Sequence, residues 1–194
     1  MNIILFDLDK TIADIGLTEK CVLETIVAQY DFNIKEITYE SVKKIVSATG
    51  NFISAYTDAF NYLLLNNTLP QPIKILEPAM LKRENIYYGL VTASPRVEAR
   101  WVLERLDVRH YFLDNLIYTR EDFTNTKADG ECFYKARNLF PKARIVVIGD
   151  SHGDRVGAAS AGLPCFSFPT SKNINEQKTF LRSAIEQAYE FLGV

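Results

Sequence analysis

Short, nearly unbroken apolar runs constrain this chain more than any other feature. They are Ile3–Phe6, Ile86–Val91, Leu116–Tyr118, Ile145–Ile148 and Cys165–Phe168. A strand with one wet face alternates apolar and polar residues. Runs without that alternation suit strands covered on both faces, as in a parallel sheet. Between the later runs lie apolar stripes at helical spacing. Ala99, Val102, Leu103 and Leu106 form one, Cys132, Phe133, Ala136, Leu139 and Phe140 a second, and Leu181, Ala184, Ile185, Ala188 and Leu192 a third. Alternating strand and helix predict an α/β fold: a Rossmann-like, mainly parallel sheet with helices on both faces.

One stretch breaks the rhythm. Residues 14–78 are too long for a single crossover helix. Their periodicity is helical: Val22, Ile26 and Tyr30; Val42, Ile45 and Val46; Phe52, Tyr56, Phe60 and Leu63. The stretch closes in Leu69-Pro70-Gln71-Pro72, which cannot continue a helix. The expected organisation is a core of residues 1–13 and 79–194 with a small helical unit, 14–78, inserted after the first strand. Helical spacing assigns Phe52, Tyr56 and Phe60 to packing, with a stacking surface for a ring as the alternative.

Composition removes several function classes. Lys and Arg number 22 and Asp and Glu 24, a net charge of −2, so no basic excess is available to hold a nucleic-acid backbone or an acidic membrane. Hydrophobic residues at 47% exclude a disordered chain. No run approaches the ~20 apolar residues of a membrane span, and the N-terminus lacks the basic start and long apolar run of a signal peptide. Cys21, Cys132 and Cys165 have no metal-ligand spacing and read as small hydrophobes in a reducing compartment. A cytoplasmic protein, a monomer or small homo-oligomer, is expected.

The chemistry-bearing residues follow the apolar runs, where an open α/β sheet binds its ligands. The first run ends in Asp7-Leu8-Asp9-Lys10-Thr11. Two carboxylates about 4 Å apart repel by ~1 kcal/mol in water and ~4 kcal/mol at an intermediate dielectric, so the fold must place a cation between them, protonate one, or point them apart. The run Ile145–Ile148 ends in Gly149-Asp150-Ser151-His152-Gly153-Asp154. Its glycines allow tight turns or close approach of a ligand. Asp154 is open to two roles, a ligand for a cation or the N-cap of the helix through Val156, Ala158, Ala159 and Ala161. Two acidic pairs, each at the mouth of a buried strand, supply the oxygen donors that Mg²⁺ prefers. The run Ile86–Val91 ends in Thr92-Ala93-Ser94-Pro95-Arg96. Ser94 is the expected N-cap and Pro95 the first helical residue, which would aim a helix N-terminus at the same edge as an anion site. Arg96 is either a substrate-facing guanidinium or a solvated first-turn residue. Lys127, at the entrance of the next helix, is either a solvated surface lysine or an ammonium that braces a carboxylate and a phosphoryl group.

Taken in order, these residues resemble the haloacid dehalogenase-like hydrolases. Asp7-Leu8-Asp9-Lys10-Thr11 resembles the first motif, Thr92 the second, and Lys127 in Lys127-Ala128-Asp129-Gly130-Glu131 the third. The long run from Gly149 through Asp154 to Leu163 resembles the fourth. The insertion matches the position of the family's C1-type helical cap. Lys10 stands where many members carry Gly, which leaves the shape of the first loop open, and Ala128 stands where Pro is common.

The resemblance implies a Mg²⁺-dependent phosphomonoesterase acting on a small phosphorylated metabolite or nucleotide. Asp7 would be the nucleophile, forming an aspartyl-phosphate. Asp9 would be the acid and base, with its carboxyl raised by its neighbours. Thr92, Ala93 and Lys127 would hold the phosphoryl group. Mg²⁺ would be held by Asp7, the backbone carbonyl of Asp9, and Asp150, with Asp154 coordinating or just behind. Family dehalogenases lack the second aspartate of the first motif, so Asp9 points to phosphoryl transfer. The alternatives are a phosphomutase of the same family and a non-catalytic phosphate-binding regulatory domain.

Overall fold

The computed structural model describes residues 1–32, 34–81 and 84–194. The described chain divides into two compact units, Met1–Asp14 with Ile73–Val194, and Ile15–Pro72.

The larger unit is built on five parallel strands. They are β1 (Asn2–Phe6), β4 (Ile86–Val91), β5 (Phe112–Tyr118), β6 (Arg144–Gly149) and β7 (Cys165–Ser167), in the order β5-β4-β1-β6-β7. This is the Rossmann-like α/β sheet that the apolar runs predict. Ile3, Ile4, Leu5 and Phe6 are all fully buried, as a strand covered on both faces requires. The two faces separate by alternation along each strand. Ile3, Leu5, Val91, Ile145 and Val147 pack with Cys132, Phe133 and Ala136 of α5 (Glu131–Leu139) and Ala158 of α6 (His152–Ser160). On the opposite face Phe6 meets the rings of Tyr88 and Phe112. There the hydroxyl of Tyr88 lies 3.0 Å from that of Tyr189, on the C-terminal helix α7 (Ile174–Leu192).

Strand order reverses at β1, the first strand of the chain but the middle of the sheet. β4 and β5 lie to one side, β6 and β7 to the other. Phe6 pairs with Leu90 on one side and Ile148 on the other. The register therefore brings Asp7, Thr92 and Asp150 to one end of three adjacent strands, at the topological switch point.

The smaller unit is wholly helical in its described regular structure: α1 (Gly16–Gln29), α2 (Tyr39–Thr49) and α3 (Phe52–Leu65). Thr38 and Asn51 cap α2 and α3 through their side chains. Phe52, Tyr56 and Phe60 are buried, consistent with packing. The chain leaves and re-enters the larger unit through a feature that the sequence does not announce. β2 (Ala13–Asp14) and β3 (Ile73–Lys74) form a two-residue antiparallel ribbon. Strands this short carry no periodicity to read.

Candidate functional site

The loop after β1 folds back on itself. The amides of Thr11, Ile12 and Ala13 all point to the carbonyl of Leu8, and Lys10 N donates to Ala13 O at 2.7 Å. Closing so tight a turn puts Lys10 in the left-handed region, φ 56°. Glycine reaches that conformation freely, whereas an L side chain is strained there by about 1–2 kcal/mol. The loop thus takes a shape suited to glycine, with a lysine in it.

This turn buries Asp7 and leaves Asp9 half-buried. Asp7, Asp150 and Asp154 each place a carboxylate oxygen within 4.8 Å of the others. Lys127 sits among them. Its ammonium hydrogen-bonds Asp7 and lies 2.5 Å from Asp154 Oδ1. The Lys127 ammonium is thus the partner of this fully buried oxygen. The other Asp154 oxygen accepts from the Ser151 amide at 3.0 Å and the Ser151 hydroxyl at 2.5 Å, while Ser151 Oγ accepts from Asp154 N. Ser151 is thus the N-cap of α6, and Asp154 is the third residue of a capping box. Asp154 is therefore not the N-cap, the role weighed for it beside that of cation ligand: Ser151 takes the cap, and Asp154 turns one oxygen back to the Ser151 amide and hydroxyl and the other to the acidic cluster.

Two glycines make the cluster possible. A Cβ at Gly149 would fall 2.4 Å from the Asp154 carboxyl carbon, so only glycine lets that side chain fold under the strand end. A Cβ at Gly157 would fall 2.2 Å from the Lys127 carbonyl oxygen. Lys127 lies on a separate 3₁₀ turn, Lys127–Asp129, ahead of α5, and that turn is seated on the bare backbone of α6. Gly153 differs from both: its Cβ would meet only ordinary contacts at 3.6 Å and beyond. Gly157→Ala is therefore expected to destabilise the protein by about 1–3 kcal/mol through overpacking, whereas Gly153→Ala is expected to be neutral or to stabilise it by up to about 1 kcal/mol. Urea denaturation of the two variants checks the order.

Burial raises the Asp7 carboxyl well above the usual carboxylate range, against the pull of Lys127 and with the help of Asp154 and Asp150. Burial also raises Asp150, against the hydrogen bond it accepts from the fully buried Thr11 hydroxyl at 3.1 Å. Burial works against the Lys127 ammonium, but Asp7 and Asp154 outweigh it and hold the group above its ordinary value. Between about pH 4, where unfolded carboxylates titrate, and neutrality, the native state holds more protons on Asp7 and Asp150 than the unfolded chain does. Their contribution to stability therefore falls as pH rises through that window.

The donor set fits a hard cation. Three convergent carboxylates, Asp7, Asp150 and Asp154, offer oxygen donors of the kind that Mg²⁺ prefers.

The second-motif loop departs from expectation. Thr92 is buried at the end of β4 and its hydroxyl accepts from Ser94 N at 3.1 Å, leaving the hydroxyl proton to donate. Ala93 is exposed beside it. Ser94 does not cap the following helix. α4 runs Arg96–Arg105 with Pro95 as its N-cap residue and no capping side chain of its own. The Arg96 amide instead donates to both carboxylate oxygens of Glu121 at 3.0 Å. The anion site predicted at this helix end is filled by the protein's own carboxylate. The Arg96 guanidinium pairs with Asp122 at 2.6 Å and approaches Thr119 Oγ1 at 3.4 Å. The structure thus gives Arg96 partners after β5 and does not bring it into the acidic cluster.

Thr11, Ser151 and Gly157 carry more of the site's geometry than their place in the motifs signals. A glycine inside a helical stripe is the one sequence cue that points to Gly157.

The fold and the cluster define a Rossmann-like α/β protein with a helical insertion after its first strand and an acidic centre at its switch point. The chain belongs to the haloacid dehalogenase-like hydrolases, whose sequence model matches residues 4–168. No curated protein sequence matches the chain. Among solved structures it is similar to a candidate beta-phosphoglucomutase from Thermotoga maritima, at 19% identity and TM-score 0.65 over 99% of this chain and 100% of the other. It is also similar to CbbY from Rhodobacter sphaeroides in complex with phosphate, at 18% identity and TM-score 0.64 over 87% and 86%. A subfamily IA hydrolase of the same superfamily from Geobacter sulfurreducens matches at 17% identity and TM-score 0.58 over 93% and 96%. At these identities the likeness shows the fold alone. Among the described residues no helix is long and apolar enough to cross a membrane.

Proposed function

We propose that the protein is a Mg²⁺-dependent phosphomonoester hydrolase of small phosphorylated substrates, working through an aspartyl-phosphate on Asp7. The observation that carries this reading is the convergence of the Asp7, Asp150 and Asp154 carboxylates at the switch point, with the Lys127 ammonium paired to Asp7 and Asp154. Asp7, Asp150 and the backbone carbonyl of Asp9 would hold the Mg²⁺, with Asp154 coordinating or bracing from behind. Bound there, the ion offsets the repulsion between a carboxylate nucleophile and a phosphate dianion.

The chain's own groups do the rest. The Asp7 carboxylate attacks phosphorus and takes the phosphoryl group. Lys127 keeps Asp7 oriented and, with the Thr92 hydroxyl and the backbone at Ala93, meets the charge on the phosphoryl oxygens. Asp9, two residues on and half-buried, protonates the departing oxygen and then takes a proton from the water that attacks the intermediate. The helical unit, residues 14–78 by sequence, acts as the cap that chooses the substrate, because the core groups contact only the phosphoryl end. The family's dehalogenases lack the second aspartate of the first motif, so Asp9 beside Asp7 favours hydrolysis or transfer of phosphoryl groups over carbon–halogen cleavage.

The test is phosphate release from a panel of sugar phosphates, nucleotides and short phospho-acids, with Mg²⁺ and with EDTA. Mg²⁺-dependent release from at least one monoester is expected. Isomerised sugar phosphate without free phosphate would convert the assignment to a mutase, and inactivity across the panel with no beryllofluoride binding would contradict it.

Mg²⁺ binding has a readout independent of turnover. At about one hundred times its dissociation constant the ion adds ~2.7 kcal/mol, or about 5–10 °C in melting temperature for a chain of this size. Because protons compete for Asp7 and Asp150, the gain is expected to be larger at pH 7.5 than at pH 5. A gain that is absent at pH 7.5, or equal at both, would count against a shared acidic site.

A further inference from the structure

The left-handed turn at Lys10 is held from the far end of the chain. Gln177, in the first turn of α7, is buried, yet both ends of its amide are engaged. Its Nε2 donates to the Lys10 carbonyl and its Oε1 accepts from Ser171 N at 2.6 Å. Ser171 is itself fixed: its hydroxyl donates to Glu176 at 2.7 Å and accepts from Asn173 N at 3.0 Å. The Lys10 carbonyl belongs to the peptide that leads into Thr11, and Thr11 is the residue that holds Asp150. One buried amide therefore joins the segment after β7 to the turn between Asp9 and the Asp150 anchor.

We propose that Gln177 is a positioning residue for the reaction, fixing the strained Lys10 turn so that Asp9 and the Thr11–Asp150 contact keep their places. This rests on the proposed hydrolase function. The argument is one of geometry. Lys10 does not favour the conformation it holds, so bonds around the turn must offset the strain: the loop's own backbone bonds, the Lys10–Asp14 ion pair at 2.5 Å, and from outside the loop the Gln177 amide. Among the described residues the carbonyl side of that turn is held by Gln177, and the amide side by Ala13. Thr92 and Lys127, the proposed phosphoryl-binding groups, stand on other elements. A loosened turn should therefore leave substrate binding nearly intact and slow the chemical step, since small misplacements of reacting groups cost large factors in rate.

The experiment is a double-mutant cycle in the full-length protein with p-nitrophenyl phosphate and Mg²⁺. Gln177→Met keeps the volume and removes both hydrogen bonds, and Gln177→Asn, one methylene shorter, cannot span them. Either is expected to lower kcat by about tenfold or more, with KM within about twofold. Lys10→Gly, which reaches the left-handed turn without help, is expected to restore kcat in the Gln177→Met background to within about threefold of Lys10→Gly alone. Hydrogen exchange of residues 8–13 is expected to accelerate in Gln177→Met. A merely structural glutamine would lower the melting temperature without moving kcat below it, and Lys10→Gly would restore nothing. Unchanged exchange, or unchanged kcat in folded variants, overturns the proposal. An inactive wild type would overturn the hydrolase reading and with it the catalytic half of this one, and exchange would then decide whether Gln177 anchors the turn.

Discussion

Replacing Lys127 with methionine is expected to destabilise the Mg²⁺-free protein by about 3–5 kcal/mol at pH 7.5, because it strands two buried carboxylates. Asp7 and Asp154 both face the ammonium, and both are buried. Methionine fills most of the volume, so the loss reports charge rather than a cavity. The pH dependence follows from the same carboxylates. As pH falls toward 5 the Asp7 carboxyl, which burial raises, takes up a proton, the repulsion between the two eases, and the penalty should shrink. Mg²⁺ should recover part of it at pH 7.5 by taking over as the local cation. Urea denaturation in EDTA and in Mg²⁺, at both pH values, checks the four combinations. A penalty under about 1 kcal/mol in EDTA at pH 7.5 would mean that Lys127 does not hold the cluster together.

Asp7→Asn carries the largest expected loss of function. A carboxamide oxygen is a poor nucleophile, and enzymes that lose their nucleophile fall by factors of about 10⁴ or more. The variant should still fold, because Lys127 keeps Asp154 as a partner and a raised, buried carboxyl is removed. Mg²⁺-dependent phosphate release near the wild-type rate would remove Asp7 from the proposed role.

How far the sequence goes can be judged residue by residue. β1, β4 and β6 are legible because burial on both faces forces unbroken apolar runs, and the motif loops are legible because they follow those runs directly. What escapes is what depends on register or distance. Glu121 caps α4 across 25 residues, Thr11 meets Asp150 across 139, and Gln177 meets Lys10 across 167. No local pattern encodes such pairs. The expected Ser94 cap fails for the same reason: a side chain near in sequence loses to a carboxylate delivered by the neighbouring strand. Lys10 shows the limit from the other side. A lysine gives no sign of a left-handed turn, and only the fold imposes it.

The central claim is that the phosphoryl group passes through Asp7. The most direct measurement is acid quench of the Asp9→Asn variant during turnover of p-nitrophenyl phosphate, then borohydride reduction and peptide mass mapping. Nitrophenolate leaves without help from an acid, so the first step should proceed. Hydrolysis of the intermediate lacks its base, so the phosphoenzyme should accumulate. The account predicts homoserine at position 7 in the reduced protein. An unreduced Asp7 during continuing Mg²⁺-dependent turnover would contradict it.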